Sequence, residues 1–317
     1  MNKYQGISNK KTWIILVNFN NHADTLRCIS SIKKAGYSDN IIVVDNNSTK
    51  KGIDDICKKF PNIHLIKNPR NVGFGKANNI GIKWALDNTN CEYIFLLNND
   101  TLIKEDTIPI LERGLLMRKD IALTAPKILL IDQPDTLWYG GGEIDWKKCT
   151  ASLPGYLGPA NNELVCRPRL VSFASGCAML FKRSALSESG GFDERFFMYI
   201  EDLELCIRIA RSNQKIYYVP DAIVYHKGQG SQRKDEKFYP IEHPKNPNLS
   251  FYIYHLTKNK LLVIRQHATI ANKMKFYFFF SLRMLIKCLQ YIFHKRLDAV
   301  KAFLKGFVDS FDEKYSK

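Results

Sequence analysis

The chain alternates short, branched apolar runs with segments of helical period. Residues 13–19 read WIILVNF, an apolar run that predicts a strand buried on both faces. In HADTLRCISSIKKAG, which follows, Ala23, Leu26, Ile29, Ile32 and Ala35 recur at helical spacing before Gly36, so a helix stopping at a glycine is predicted. IIVVD at 41–45 reads as a second buried strand, ending on a carboxylate and the turn-forming NNST. Strand, helix and strand in this order imply a right-handed crossover and a parallel sheet.

The alternation continues with a helix over 53–60, a short strand over 64–67, a helix over 75–86 and a central strand, YIFLLNND, over 93–100. Open parallel sheets bind ligands beyond the carboxyl ends of their strands, so Asn18, Asn20, Asp45, Asn98, Asn99 and Asp100 are expected along one edge. Residues 132–170, with GGG at 140–142, read as a β-hairpin or long loop region. A strand over 171–183, a helix over 200–212 with Leu203, Ile207 and Ala210 inward, and a last strand over 216–226 ending at His226 follow. Polar KGQGSQRKDEK then predicts a mobile loop or domain boundary near 228–248. No repeat of solenoid period is present in the sequence.

Residues 249–317 differ in character, being basic, aromatic and predominantly helical in pattern. Within 273–296, Leu282, Leu285, Leu289 and Ile292 fall on one helix face and Arg283, Lys287, Gln290 and His294 on another. Such a helix suits the plane of an anionic membrane, or its apolar stripe packs on the preceding domain; the two readings stand level. A spanning helix is disfavoured because Arg283 and Lys287 interrupt the run, and no segment supplies the roughly 18 charge-free apolar residues a span needs. The division expected is therefore 1–248, with halves at about 12–102 and 103–248, and 249–317.

At 317 residues, 45% hydrophobic and 25% charged, with 19 Phe and 15 Tyr, the composition is that of a globular protein. A formal net charge of +16 draws the chain toward anionic surfaces, whether phospholipid, nucleic acid or a diphosphate, without choosing among them. The eight cysteines form no CxxC pair and no Cys/His cluster at zinc spacing, which points to a reducing compartment. The polar N-terminus, MNKYQGISNKKTW, lacks the apolar core of a secretory signal.

Four segments carry candidate chemistry. Asn98, Asn99 and Asp100 at a strand end make an oxygen-rich cluster of the kind Mg²⁺ or Mn²⁺ takes when it also holds a diphosphate, although such clusters are often only turns. Glu201 and Asp202 open a helix after the Gly190–Gly191 turn; they suit a general base toward an acceptor hydroxyl or, equally, acidic helix capping. His226 ends a strand, where imidazole can complete a metal site or contact a phosphate. NPRNVGFGKANNIG offers small residues at Gly73 and Gly75 for close backbone approach, but it is no GxGxxG after a first strand.

Taken in order, IILVNFN, IIVVDNNST, NPRNVGFGKANNIGI, YIFLLNND, SGCAMLFKR, GGFDERFFMYIEDLELCIR and H-x-G-x-G-S resemble the bacterial family-2 inverting glycosyltransferases of GT-A fold, in particular rhamnosyltransferase-like members, over roughly residues 12–231. The resemblance implies an α/β fold with a mostly parallel, Rossmann-like sheet flanked by helices, followed here by a C-terminal helical region. It implies that Asp45, with Asn47 and the turn Val17, Asn18, Phe19 and Asn20, holds the base and ribose of the donor. Gly73, Lys76 and Asn79 would lie along its nucleotide and diphosphate, beside Asn98 and Asn99.

Asp100 is similar to the last acidic residue of the family's metal motif, whose first position here is Asn98 rather than an acid. Asp202 is similar to the catalytic base, Glu201 to its acceptor-side partner, and His226 to a late histidine that reaches the metal or diphosphate. The activity implied is transfer of a sugar from dTDP-rhamnose or a UDP-hexose, with Mn²⁺ or Mg²⁺, to a glycan or lipid-linked acceptor in cell-surface polysaccharide synthesis. It implies a peripheral enzyme on the inner face of the plasma membrane, with a homo-oligomer open and no nucleic-acid partner. Two competitors are a sugar-nucleotidyltransferase, which would want a glycine- and lysine-rich loop where this chain has NFNNHADT, and a non-catalytic basic protein binding glycan or nucleic acid.

Overall fold

In the computed structural model the described residues are 11–49, 52–228 and 241–312. The chain opens β1 (Thr12–Asn18), α1 (His22–Lys34), β2 (Ile41–Asp45), α2 (Ile53–Lys59), β3 (His64–Lys67), α3 (Phe74–Asn88) and β4 (Tyr93–Leu97). β3, β2, β1 and β4 lie side by side and all parallel, as the βαβ pattern requires. β2 and β4 are buried at every residue, which is why they read as unbroken apolar runs. α3 packs on β1 and β2, where Gly81 permits the approach: a Cβ there would stand 2.6 Å from Ile15 Cγ2.

Next come β5 (Thr101–Ile103), α4 (Thr107–Leu116), β6 (Ile121–Leu130), β7 (Leu137–Tyr139), β8 (Glu143–Asp145), β9 (Thr150–Ser152), a 3-10 turn at Glu163–Cys166, β10 (Arg169–Val171), β11 (Ala178–Lys182), α5 (Arg183–Ser189), α6 (Glu201–Arg211) and β12 (Lys215–His226). Among the described residues the main sheet has the order β10-β12-β6-β11-β4-β1-β2-β3, with β5 added on β12 and β7 on β6. β11 enters antiparallel between β4 and β6, and β12 runs parallel to β6. The hairpin expected in 132–170 is β8–β9.

Four local expectations change. The strand read over 171–183 is split, β10 ending at Val171 and β11 starting at Ala178, and the intervening backbone turns toward α6. The strand read through residue 100 ends at Leu97, because Asn98 to Asp100 turn the chain into β5. Ala210 is exposed, and the inward face of α6 is Leu203, Cys206, Ile207 and Ile209. Residues 103–131, given no element from sequence, hold α4 and β6. Pro126 interrupts the strand signal in β6, and the β12 register shifts between Val219 and Ile223, the stretch of β12 that holds Pro220 and begins opposite Pro126, two residues without an N–H.

The C-terminal helices are α7 (Leu249–His267), α8 (Ile270–Phe293) and α9 (Leu297–Asp309). α7 is no appendage: Leu261, Leu262, Val263 and Ile264 lie in the same core as the sheet. The loop expected at 228–248 falls largely outside the described residues, as do Gln229, Gly230 and Ser231 of the late motif. By length and composition α8 is able to cross a membrane, contrary to the reading that no segment is apolar enough.

The apolar stripe does not pack on the domain either, since Leu282, Leu285, Leu289 and Ile292 are all exposed. The face that turns inward includes the basic one: Arg283 Nη2 lies 2.6 Å and Lys287 Nζ 3.6 Å from Glu242 Oε2.

Candidate functional site

The carboxyl ends of β1 and β2 are tied together by the side chains that terminate them. Asn18 and Asp45 are paired in register, and Asn18 Nδ2 donates to Asp45 Oδ1 at 2.7 Å and to Ser48 Oγ at 3.0 Å. Ser48 closes the turn: its hydroxyl donates to Asp45 Oδ1 at 2.6 Å, its N–H donates to Oδ2 at 3.1 Å, and Asn20 N–H donates to its Oγ at 2.8 Å. Asn20 and Asn47 sit in the left-handed region, at φ 55° and 65°, which asparagine tolerates better than most residues. Phe19 and Asn47 face solvent and Val17 is half-buried at this edge.

Asn46, which sequence reading passed over, organises the next loop. Buried beside Asp45, it donates from Nδ2 to Asn71 Oδ1 at 2.8 Å and to the Gly73 carbonyl at 3.2 Å, while its Oδ1 accepts Val72 N–H at 3.0 Å and Asn68 Nδ2 at 3.1 Å. Gly73 has φ 88°, and a Cβ there would stand 2.2 Å from the Phe197 carbonyl oxygen, so only glycine fits. That carbonyl accepts Phe74 N–H at 2.8 Å.

The neighbours of Gly73 are placed differently from the expectation. Asn79 clamps a neighbouring loop: Nδ2 donates to the Phe192 carbonyl at 2.7 Å and Oδ1 accepts Phe192 N–H at 2.8 Å. Lys76 is ion-paired with Glu194 of the same loop. Asn99 also turns inward, its Nδ2 donating to Thr25 Oγ1 at 2.8 Å and the Asn21 carbonyl at 3.3 Å. These three hold loops and helix starts through short-range polar contacts, which residue type alone does not distinguish from ligand contacts.

Asp100 and His226 meet because β5 and β12 are antiparallel and pair Thr101 with His226. His226 Nε2 lies 3.2 Å from Asp100 Oδ1, both residues being buried, and the Asp100 carbonyl accepts Lys227 N–H at 3.0 Å. His226 Nδ1 is buried without a hydrogen-bond partner among the described residues. Burial disfavours the charged imidazole, but flanking Cys177 and Asp100 outweigh it and hold its pKa well above the ordinary histidine value. The Asn98 carboxamide is half-buried at the same strand end, its backbone N–H donating to the Cys177 carbonyl at 2.8 Å. Trp138, another residue missed from sequence, stacks edge-on against His226 with ring centroids 5.0 Å apart, and Tyr156 stands against Trp138 at 5.4 Å.

Glu201 and Asp202 open α6 after two consecutive left-handed residues, Tyr199 at φ 68° and Ile200 at φ 73°. For a β-branched residue this conformation costs on the order of 1–3 kcal/mol and must be imposed from outside. α7 supplies the restraint: Asn259 Nδ2 donates to the Met198 carbonyl at 2.9 Å and the Tyr199 carbonyl at 2.7 Å.

Asp202 Oδ2 accepts Gly176 N–H at 3.0 Å and Oδ1 accepts Leu203 N–H at 2.8 Å, and the side chain remains partly open to solvent. Burial raises its pKa, against the opposing pull of these amides. Glu201 is sealed, 6% exposed beneath Gly75, with Oε2 lacking a partner among the described residues. Burial and the adjacent Asp202 charge push Glu201 well above the usual carboxylate range, so Glu201 is the member of the pair that holds its proton more tightly and Asp202 the partly open one. An acceptor-side contact, expected for Glu201, is not what this burial provides.

A chain of contacts thus joins the sequence-remote candidates. It runs from Asp45 through Asn46 and Gly73 to the 197–202 segment, and from Asp202 through Gly176 and Cys177 to His226 and Asp100. Among the described residues no group of three His, Cys, Asp or Glu is close enough to hold a metal by itself. Asp100 and, once it has given up its proton, His226 fit a divalent cation whose remaining ligands come from a diphosphate and water.

Comparison with known proteins agrees with this architecture. The family model described as glycosyl transferase family 2 matches residues 13–190. The chain is 30% identical over 230 residues to the low-salt glycan biosynthesis hexosyltransferase Agl10 of Haloferax volcanii, covering 72% of this chain and 71% of that one. It is 27% identical over 237 residues to the N-acetylglucosaminyl-diphospho-decaprenol L-rhamnosyltransferase of Mycobacterium tuberculosis, covering 68% and 73%. The crystal structure of GalNAc-T7 with UDP, GalNAc and Mn²⁺ superposes with a TM-score of 0.59 at 20% identity, over 80% of this chain and 47% of that one, a likeness of fold. With the matched pattern running from β1 to the end of α5 on a GT-A sheet, the chain belongs to glycosyl transferase family 2 and is a glycosyltransferase.

Proposed function

We propose that the protein transfers a sugar, with inversion, from a nucleoside diphosphate sugar to a hydroxyl of a glycan or lipid-linked acceptor. The observation that carries this reading is the partly open Asp202 carboxylate, one peptide step (Gly176 to Cys177) from the Asp100–His226 pair. Asp45 and the Asn18–Ser48 turn receive base and ribose, and the Asn46-braced loop at Gly73 lies along the nucleotide. Asp202 removes the acceptor proton as the hydroxyl oxygen bonds to the anomeric carbon from the face opposite the diphosphate. The anomeric C–O bond to the diphosphate breaks, and the nucleoside diphosphate leaves.

Asp100 and His226 would hold Mn²⁺ or Mg²⁺, which when bound neutralises charge on the departing diphosphate. Trp138 and Tyr156 offer aromatic faces to an acceptor sugar. The names of the relatives, a hexosyltransferase and a rhamnosyltransferase acting on a decaprenol diphosphate, support dTDP-rhamnose or a UDP-hexose as donor and a lipid-linked acceptor. The outward apolar face of α8 supports a place at the cytoplasmic face of the plasma membrane, the helix lying in the plane of the bilayer.

The experiment is a thermal-shift series with dTDP- and UDP-sugars, with and without Mn²⁺, on the wild type and Asp100→Ala. One donor should stabilise the wild type in a metal-dependent way, and the variant should lose the metal-dependent part. An equal metal response in the variant contradicts the assignment of Asp100.

A further inference from the structure

Away from the carboxyl ends of the sheet strands, the β8–β9 turn, α7 and α8 enclose a cavity of about 50 Å³. Its cations come from three elements: Lys147 and Lys148 from the turn, Lys260 from α7 and Arg283 from α8; among the described residues the one carboxylate in its wall is Glu242. Glu242 is already ion-paired with Arg283 and Lys287, and Lys148 lies 3.7 Å from Asp145. Lys147 Nζ sits 3.6 Å over the Phe279 ring, and Lys260 has no ion pair or side-chain hydrogen bond among the described residues. Among the described residues positive charge therefore exceeds negative around a cavity whose remaining wall, Thr257 apart, is apolar.

Size and surroundings narrow the occupant. A cavity of this volume admits on the order of four waters, room for one phosphate group and not for a sugar or a nucleoside. Phe279 and Phe280 of its wall belong to α8, whose free side exposes Phe278, Leu282, Leu285, Leu289 and Phe293. A contiguous apolar surface rimmed by charge marks an interaction site. A ligand seated here has an anionic head at the lysines and an apolar body along the helix, the chemistry of a bilayer lipid.

We propose that the cavity bounded by Lys147, Lys148, Lys260 and Arg283 seats the phosphate of an anionic membrane phospholipid, its acyl chains lying along the exposed face of α8. The site rests on the reading of α8 as an in-plane membrane helix and adds to it a specific lipid contact. On α7, Lys260 follows Asn259, whose amide holds the Met198 and Tyr199 carbonyls before Glu201 and Asp202.

The test is flotation of the full chain with phosphatidylcholine vesicles, with and without phosphatidylglycerol. The wild type should favour the phosphatidylglycerol vesicles, and Lys147→Gln with Lys260→Gln should reduce that preference roughly tenfold or more. Lys301→Gln with Lys305→Gln, the same charge change on α9, should leave it in place. Leu285→Asp with Leu289→Asp should lose binding to both vesicles. Unchanged melting temperature and nucleotide affinity in the lysine pair show that it is folded.

Retention of the full preference by the Lys147/Lys260 variant overturns the site. Failure of the wild type to float with either vesicle overturns the membrane reading beneath it. If phosphatidylcholine vesicles doped with a prenyl diphosphate, but not with phosphatidylglycerol, recover binding that depends on Lys147 and Lys260, the occupant is the lipid-linked substrate and the bilayer-lipid assignment falls.

Discussion

Asp202 Oδ2 accepts the Gly176 N–H at 3.0 Å, and the next residue, Cys177, accepts the Asn98 N–H through its carbonyl at 2.8 Å. One short stretch of backbone between β10 and β11 therefore spaces the proposed base from the strand end that carries Asp100. Had 171–183 run as one continuous strand, the amide of residue 176 would have been committed to the sheet. The interruption is what frees it to orient a carboxylate.

Asn259 is expected to act on catalysis through position alone. Its amide holds the carbonyls of Met198 and Tyr199, ahead of two left-handed residues and the Glu201–Asp202 turn. In Asn259→Leu the loop loses both donors, at about 1 kcal/mol net for each bond, and kcat should fall roughly a hundredfold while donor KM changes little. Steady-state kinetics check this, and a fall confined to melting temperature, with kcat preserved, would reduce Asn259 to a packing residue.

Trp138 and Tyr156 border His226 on the side formed by β7 and its following loop. Trp138→Ala removes that aromatic face without touching Asp45 or its turn. Acceptor KM is expected to rise about tenfold, the loss of a stacking contact of roughly 1–1.5 kcal/mol, while donor affinity by calorimetry stays at the wild-type value. Equal losses for donor and acceptor would move the aromatic pair to the nucleotide.

A buried carboxyl far from the chemistry gives a stability prediction with a definite sign. Glu112 accepts a hydrogen bond from the Thr12 hydroxyl, its Oε2 has no partner among the described residues, and burial pushes its pKa up to about 7. The folded state binds this proton more tightly than the unfolded state, whose pKa is the ordinary 4.5. Its stabilisation is full below that lower value and is lost as pH rises through about 7. Chemical denaturation between these limits should show the wild type losing on the order of 2–3 kcal/mol as pH rises, at about 1.4 kcal/mol per unit, with Glu112→Gln showing a flatter profile. Parallel profiles for the two proteins would contradict it.

How much of this was legible in the sequence follows from the range of the forces involved. IIVVD at 41–45 is where the apolar run puts it, because burial on both faces leaves a local signature, and HLIK at 64–67, the half-buried edge strand, also lies where it was expected. Asp45 and Asp100 stood out as acids at strand ends. Asn46 and Asn259 did not, since each acts on groups 22 or more residues away and no periodicity records that. The loop contacts of Asn79 and Asn99 were not legible for the same reason: a polar side chain in such a segment looks alike whether it meets a ligand or a neighbouring loop. The α8 pattern gave the two faces but left open which of them turns inward, because Glu242, the partner of Arg283 and Lys287, lies outside the helix.

The central claim concerns Asp202 as the group that takes the acceptor proton. Burial places its pKa above the ordinary aspartate value, so turnover should decline as pH falls through that raised pKa, and the carboxylate, not the fold around it, should limit the rate. The most direct measurement is the transfer rate of Asp202→Asn beside its affinity for the donor nucleotide. A loss in kcat of roughly 10²–10⁴ with nucleotide affinity unchanged is expected. Turnover near that of the wild type would contradict the assignment and, with it, the mechanism.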